Sequence, residues 1–277
     1  MSICFDILTT AALLFIVTSG LMMVFGVMQI VNFSHGAIIS VGGYVSFVLA
    51  QLGIPGWYGW IFAFLVGALV GALMERLVVR PLYKRPLDAI LTTWGLGIVM
   101  IQVITICFGR GIQFVDAPLQ GTWHLLGTDY SSYRLVMIPV AFVICALLVA
   151  LLNGTRFGVR TRAVIMNEAL AESLGINAGL IRFVTFSIGA GLGTLAGMLI
   201  TPLSSVDPYM GVTWLTSAFM LVMVSGHSFI SLLLTCLVFS TFQVLVSTYI
   251  NPVLGGMTIA VLAAATLRIR PRGFSRD

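Results

Sequence analysis

The chain has 277 residues, of which 59% are hydrophobic and only 8% are charged, and its formal net charge is +5. A soluble domain carries about 25% charged residues, so this composition excludes a water-soluble globular protein. Most basic residues lie beside apolar runs, which indicates a role in membrane topology and not in nucleic-acid binding. We therefore expect an all-α fold, a single polytopic bundle of transmembrane helices over residues 1–277.

Two long stretches, between Asp6 and Glu75 and from Pro208 to Leu267, contain no Asp, Glu, Lys or Arg. An ionised side chain at mid-membrane costs roughly 3 kcal/mol, which explains their absence. Residues 212–267 are interrupted at 225–228 and at Asn251-Pro252, so they hold either one long span with a re-entrant piece or three short spans. We expect about 7–9 spans in total. The earlier candidate spans are 7–31, 36–52, 57–78, 88–108, 135–153 and 183–202.

The basic residues predict the orientation of the chain. By the positive-inside rule, three clusters of them mark the cytoplasmic side. The loop 109–134 balances its basic and acidic residues and is expected outside, as is the N-terminus, which carries Asp6 and no basic residue. A periplasmic N-terminus and a cytoplasmic C-terminus require an odd number of crossings. The clusters are Arg76, Arg80, Lys84 and Arg85; Arg156, Arg160, Arg162 and Arg182; and Arg268, Arg270, Arg272 and Arg276.

Glycines spaced four residues apart predict close helix packing. They occur at Gly67 and Gly71 and again at Gly189, Gly193 and Gly197. Such spacing puts bare backbone on one helix face, where a second helix can approach closely in lipid. Tight internal packing is the simple interpretation, and a sliding surface between moving helices is the functional one.

The first apolar region is interrupted by the polar segment Asn32-Phe33-Ser34-His35-Gly36. Polar groups in lipid need hydrogen-bond partners, so these side chains must face other helices or water. The segment is either a helix corner capped by Asn32 or Ser34 or a polar lining beside a translocation pathway.

The predicted cytoplasmic loop 154–182 contains a short helical pattern. Asn167 is a suitable N-cap, Glu168 is favourable in the first turn, and Gly175 fits the end of the helix. Such a helix is either an ordinary connection between two spans or an element that docks into a groove of a partner and transmits motion.

The sequence offers little from which to build an enzyme. His35, His124 and His227 are too dispersed for a metal motif, and no Walker A loop or catalytic nucleophile motif is present. We therefore expect no catalytic residue, metal or cofactor. The four cysteines (Cys4, Cys107, Cys145 and Cys236) have no metal-ligand spacing, so we interpret them as structural. Energy for transport must then come from elsewhere, or the transport is passive.

Taken together, three motifs resemble the branched-chain amino acid permease family of ABC importers. They are the segment 31–36 within 20–44, the loop 160–177 with Glu168-Ala169, and the ending Arg270-Pro271-Arg272-Gly273-Phe274. The resemblance implies a bacterial inner-membrane permease subunit with a second, usually different, permease subunit, two cytoplasmic ATPase subunits and a periplasmic binding protein as partners. By the same resemblance, Glu168, Ala169 and Gly175 belong to the ATPase-docking element, and Asn32, Ser34, His35 and Gly36 belong to the family signature.

The chain departs from the family pattern at residues 224–229, where the family usually has a Gly-Gly-x-Gly-Ser turn, and fewer glycines should stiffen this turn. Thr92-Thr93-Trp94-Gly95 is reminiscent of members that import urea or short amides. The leading prediction is an importer of branched-chain amino acids. The alternatives are a urea or short-amide permease and a stand-alone channel for a small neutral solute.

Overall fold

The computed structural model describes residues 2–83, 85–125, 128–226, 228–270 and 273–274. Helices dominate the described part of the chain, and a π-helical turn, Glu75–Val79, extends the third of them. The helices are α1 (Ser2–Met28), α2 (His35–Gln51), α3 (Gly56–Met74), α4 (Pro86–Phe108), α5 (Ser132–Gly154), α6 (Arg156–Met166), α7 (Glu168–Ser173), α8 (Ala178–Ile200), α9 (Met210–Ser225), α10 (Phe229–Tyr249) and α11 (Pro252–Ile269).

Within the described residues, 7 helices are long and apolar enough to cross a membrane, which confirms the predicted polytopic bundle. They are α1, α3, α4, α5, α8, α10 and α11. The predicted span 36–52 corresponds to α2, which has only 17 residues, and α9 has 16. Both are shorter than the roughly 20 residues that a full crossing needs.

The apolar stretch 212–267 belongs to three helices that are separated where its sequence is interrupted. The first, α9, is followed by Gly226, whose φ of +74° favours glycine because glycine has no Cβ. Asn251 caps α11, since its side-chain oxygen accepts a hydrogen bond from the backbone N–H of Val253 at 2.8 Å. Of the two predicted arrangements, the division into three helices is confirmed, although only α10 and α11 reach spanning length.

The centre of the bundle is formed by α1 and α8, which are the most buried of the spanning helices. Glycine allows α3 to approach α8 closely. A Cβ added at Gly67 would lie 2.1 Å from Thr194 Oγ1, and one at Gly71 would lie 2.4 Å from the Cβ of Ala190. The predicted tight packing of these glycine faces is therefore confirmed, and it fits the way helices associate through small residues in lipid.

Helix α2 begins inside the bundle and not at its edge. Its first residue, His35, is completely buried beside Gly20 of α1 and Gly193 of α8, both of which lie well within their helices. Because α2 starts at this depth, 17 residues are enough for it to reach the end of the bundle at Gln51. This starting depth explains how a helix that is too short for a full crossing fits into the bundle.

One end of the bundle carries a hairpin of two antiparallel strands, β1 (Thr122–Leu125) and β2 (Thr128–Ser131), which the all-helical prediction did not include. Tyr130 in this hairpin donates a hydrogen bond to Asp6 Oδ1 at 2.8 Å, and Arg134 lies 3.6 Å from the same oxygen. The N-terminus of α1 and the start of α5 therefore lie at the same end. The loop 154–182 follows the other end of α5.

Candidate functional site

An open groove lies between α2, α4 and α9 and has a volume of about 460 Å³. No charged side chain lines the described part of this groove. Its walls combine aromatic and aliphatic side chains with a glycine and two hydroxyls, a composition typical of a site for a small, mostly apolar molecule. The residues that line it include Phe33, Trp94, Gly97, Tyr209, Thr216 and Phe219.

Aromatic side chains shape both ends of the groove. Tyr209 is held at one end, where its hydroxyl accepts a hydrogen bond from Gln102 Nε2 at 3.3 Å and its backbone N–H donates to Asp207 Oδ1 at 2.8 Å. Phe33 and Phe219 approach one another with ring centroids 6.4 Å apart. The groove therefore has a polar contact at the end where α4 finishes and an aromatic contact where α2 begins.

The structure places the predicted pathway residues Asn32, Ser34, His35 and Gly36 behind the groove. Asn32, Ser34 and His35 are almost fully buried, whereas Phe33 between them is 37% exposed and lines the groove. The proposed capping of α2 is wrong, since neither Asn32 nor Ser34 bonds to its first turn through the side chain. Instead, the Asn32 carboxamide oxygen accepts hydrogen bonds from the backbone N–H and the hydroxyl of Ser34.

These buried residues bring the helices of the groove together. A Cβ added at Gly36 would lie 3.1 Å from the backbone oxygen of Gly211 at the start of α9. The backbone N–H of Phe33 lies 3.4 Å from Thr93 Oγ1 on α4, as a weak hydrogen bond. The segment 32–36 thus connects α2 to both other walls of the groove.

The loop 154–182 contains the short helix that its sequence predicts. The side-chain oxygen of Asn167 accepts a hydrogen bond from the backbone N–H of Leu170 at 3.0 Å, which confirms Asn167 as the N-cap of α7. Gly175 follows α7 with a φ of +83°, which confirms it as the helix stop. Ala169 and Gly175 are exposed, and Glu168 forms an ion pair with Arg182 of α8.

Sequence reasoning did not identify an exposed apolar stripe on this loop. Met166, Leu170 and Leu174 are 86%, 58% and 73% exposed, respectively. Leu170 and Leu174, four residues apart, lie on one face of α7 and its C-cap, and this spacing is the sequence signal that could have revealed them. Met166 ends α6, directly before the extended Asn167 that separates α6 from α7. Exposed apolar side chains this close together are typical of a protein or membrane contact surface.

Segments that carry the three basic clusters lie at one end of the bundle. Arg182 packs over the ring of Tyr83, and Arg162 lines one cavity with Phe229, the first residue of α10. The backbone N–H of Phe274 in turn donates to the carbonyl oxygen of Val224 at 2.8 Å. Lys84, His227, Pro271, Arg272 and Arg276 lie outside the described residues, and so does the side chain of His124.

A bundle of spanning helices with an open, uncharged groove and an exposed loop fits a polytopic transport permease. The family model for the branched-chain amino acid transport system permease component matches residues 3–266, and the chain belongs to this family of ABC importer permeases. This confirms the family that the motifs predicted.

Two relatives and one solved structure extend this comparison. The chain is 25% identical over 275 residues to the high-affinity branched-chain amino acid transport system permease protein LivH of Escherichia coli, with 93% of this chain and 89% of that protein covered. It is 26% identical to the probable LivH of Methanocaldococcus jannaschii, covering 95% and 88%. Streptococcus pneumoniae PsaBC, solved with a Fab, shares the fold with a TM-score of 0.53 at 16% identity, covering 98% of this chain and 93% of the PsaBC chain.

Membership of this family supports the predicted branched-chain amino acid importer permease, and it supports neither the urea or short-amide permease nor the stand-alone channel. Permeases of ABC importers work with ATPase and binding-protein partners, so this chain is one component of a larger transporter. Its relatives are transport permease subunits, which fits a protein that is not itself an enzyme. The spanning helices and the relatives together make it a multi-pass inner-membrane protein.

Proposed function

We propose that this permease subunit imports branched-chain amino acids, such as leucine, through the groove between α2, α4 and α9. The observation that carries the proposal is an uncharged, aromatic-lined groove in a chain whose family model covers residues 3–266. Apolar walls favour an aliphatic side chain because its burial removes apolar surface from water. A volume of about 460 Å³ can hold a molecule of this size.

The charged ends of an amino acid require a different kind of contact. Helix α9 begins at Met210, beside Tyr209 and Val212 in the groove, so its N-terminal dipole lies close to the path. A helix N-terminus favours a carboxylate, and transporters commonly use broken or short helices in this way. A zwitterion can therefore cross this region without a fixed charge on the wall.

Urea or a short amide is the second candidate substrate. The observation that favours it is the motif 92–95, which the structure brings to the groove through Trp94, while Thr93 meets the backbone of Phe33. Uptake of radiolabelled leucine and urea, measured with and without this chain in cells that contain its partners, distinguishes the two. We expect leucine uptake to disappear on deletion. Loss of urea uptake with persistent leucine uptake would assign the chain to the amide branch.

The groove itself is tested by filling it. Thr216 and Thr213 are both exposed threonines on α9, but only Thr216 lines the groove. We expect Thr216→Trp to abolish leucine uptake because the indole occupies the path, and Thr213→Trp to leave uptake largely intact. Equal uptake by both variants would contradict this location of the pathway.

The loop 154–182 is proposed as the coupling element within a single permease domain of residues 1–277. In this proposal α7 docks into a cytoplasmic ATPase subunit, and ATP is hydrolysed in that partner chain. Glu168, Ala169 and Gly175 belong to the docking element, and the exposed stripe of Met166, Leu170 and Leu174 supports it with apolar contact surface. The complete transporter then contains two ATPase subunits, a periplasmic binding protein and a second permease subunit that is a paralogue of this one.

The proposed orientation follows from this coupling role. If α7 meets an ATPase, the end of the bundle that carries the basic clusters is cytoplasmic, in agreement with the positive-inside rule. Asp6 and Arg134 lie at the opposite end, which makes the N-terminus periplasmic. Cysteines introduced at Gln120 and at Leu174 should react with an impermeant maleimide from the outside and from the inside, respectively, and the reverse pattern would overturn this orientation.

A further inference from the structure

A buried carboxylate lies where α3 passes into its π-helical turn. Glu75 is the first residue of that turn and has no exposed surface. Tyr83 donates a hydrogen bond from its hydroxyl to Glu75 Oε1, while Oε2 has no partner among the described residues. A buried carboxylate is costly unless it is bonded, and π-helical turns are frequent at functional positions.

The tyrosine that holds Glu75 also contacts the coupling loop through an arginine. The Arg182 guanidinium carbon lies 4.5 Å from the centroid of the Tyr83 ring, a cation–π geometry. The same guanidinium forms the ion pair with Glu168, the first residue of α7. Four residues thus form a continuous chain of contacts, Glu75–Tyr83–Arg182–Glu168.

Within this series of four contacting residues, Arg182 is better protected from water than Glu168 at the end. The side chain of Arg182 is 18% exposed and that of Glu168 is 41% exposed. Burial raises the pKa of the Tyr83 hydroxyl, and its hydrogen bond to Glu75 raises that pKa further. Tyr83 therefore stays protonated and remains a donor to Glu75 over the whole physiological range.

The positions of the four residues connect the coupling loop to the groove. Tyr83 precedes α4 by three residues, since α4 begins at Pro86 and carries Trp94 and Gly97 into the groove. Glu75 fixes Tyr83 to the end of α3, and Arg182 belongs to the first turns of α8. The contacts of Arg182 with Glu168 and Tyr83 therefore connect α7 to the start of the helix that forms a wall of the groove.

We propose that Glu75, Tyr83 and Arg182 are positioning residues that transmit the movement of α7 to α4. The proposal rests on the docking role of α7 proposed above. The Tyr83 hydroxyl binds Glu75 and its ring carries Arg182, so removal of the hydroxyl keeps the contact with Arg182 but frees the ring from the end of α3. The ATPase then still docks and hydrolyses ATP, but its movement no longer moves the groove wall efficiently.

The test uses the complete transporter in proteoliposomes and measures the number of leucine molecules imported per ATP hydrolysed. We expect Tyr83→Phe to lower this ratio about fivefold or more, in the range of ordinary coupling energies, while ATPase co-purification and ATP hydrolysis persist. Arg182→Lys is the second variant, since it keeps the charge but loses the planar guanidinium that stacks on the ring and pairs with Glu168. Size-exclusion chromatography of each variant shows that it is folded.

Two controls separate a coupling defect from other effects. Tyr58→Phe removes the hydroxyl of a tyrosine that is 72% exposed on α3, and Asp88→Asn removes an exposed ion pair with Arg85. Both controls should keep the wild-type ratio. An unchanged ratio of leucine imported to ATP hydrolysed in both Tyr83→Phe and Arg182→Lys would overturn the proposed transmission from α7 to α4. A loss of ATPase binding that accounts for all of the lost uptake would overturn it as well. If the docking proposal is wrong, the wild-type protein does not bind the ATPase through α7. If the substrate proposal is wrong, the wild-type transporter does not take up leucine.

Discussion

The hydroxyl oxygen of Ser40 on α2 accepts a hydrogen bond from the backbone N–H of Gly211 on α9, with a distance of 3.1 Å. The two short helices of the bundle thus meet at the first turn of α9, where a terminal N–H has no partner within its own helix. A Cβ added at Gly211 would lie only 1.9 Å from the backbone oxygen of Gly36. This contact fixes the back wall of the groove.

Gly211→Val should separate α2 from α9. The branched side chain collides with the Gly36 backbone, which cannot move without displacing the start of α2. Overpacking of this kind costs about 1–3 kcal/mol. We expect a lower melting temperature of the purified protein in detergent and a loss of leucine uptake, measured by thermal unfolding and by transport.

Gly95 on α4 provides the matched control for this substitution. It also lies within a helix, but an added Cβ at Gly95 meets no atom within 4 Å. Gly95→Val should therefore keep both the melting temperature and the uptake. If Gly211→Val behaves like Gly95→Val, the close contact between α2 and α9 does not exist in the folded protein.

Leu170→Asp should weaken ATPase docking. Leu170 is 58% exposed on α7, so the substitution leaves the packing of the bundle largely unchanged while it puts a charge into an apolar contact. A central interface residue contributes about 2 kcal/mol, or roughly thirtyfold in the dissociation constant. Co-purification of the ATPase with the permease, titrated with ATPase concentration, measures this loss.

Leu87→Asp makes the same change at a leucine that is 75% exposed at the start of α4, outside the coupling loop. Its ATPase affinity should match that of the wild-type protein. If the Leu170→Asp variant also binds the ATPase as tightly as the wild-type protein does, α7 is not part of the docking surface.

His35→Leu should destabilise the bundle and reduce uptake. Added Cβ atoms at Gly20 and Gly193 would lie 3.1 and 2.7 Å from His35 Cε1, so the edge of the planar ring fits between two bare backbones. Leucine has a tetrahedral Cγ, so its methyl groups cannot lie in one plane like the ring and do not fit that narrow space, at a cost of about 1–3 kcal/mol. An unchanged melting temperature together with unchanged uptake would show that His35 is dispensable at this position.

Much of the fold could be predicted from the sequence because lipid imposes simple rules on composition. The apolar runs predicted most of the spans, Asn167 and Gly175 predicted the ends of α7, and the glycine spacing predicted the faces on which α3 and α8 pack closely, though not that these two helices pair. The depth of α2 could not be predicted, because it depends on the burial of His35 between two other helices. Hydropathy reports that a segment is apolar and does not report where in the bundle it begins.

The candidate site was only partly visible in the sequence. The polar residues of the segment 32–36 were the obvious pathway candidates, yet the structure buries Asn32 and Ser34 and exposes the apolar Phe33 to the groove. The groove joins residues from three helices that are distant in sequence, such as Trp94 and Thr216. The motif 92–95 marked Trp94, but only the packing of the helices brings it together with Thr216, so no local pattern could have shown that they share a groove.

The most direct measurement is chemical modification of a cysteine in the groove during transport. Cys4 and Cys107 are the exposed native cysteines among the described residues, so both are first replaced by serine, and Thr216→Cys is then introduced. We expect a methanethiosulfonate reagent to block leucine uptake in the assembled transporter, and leucine to slow the modification. Uptake that continues after complete modification of the introduced cysteine would contradict a pathway between α2, α4 and α9.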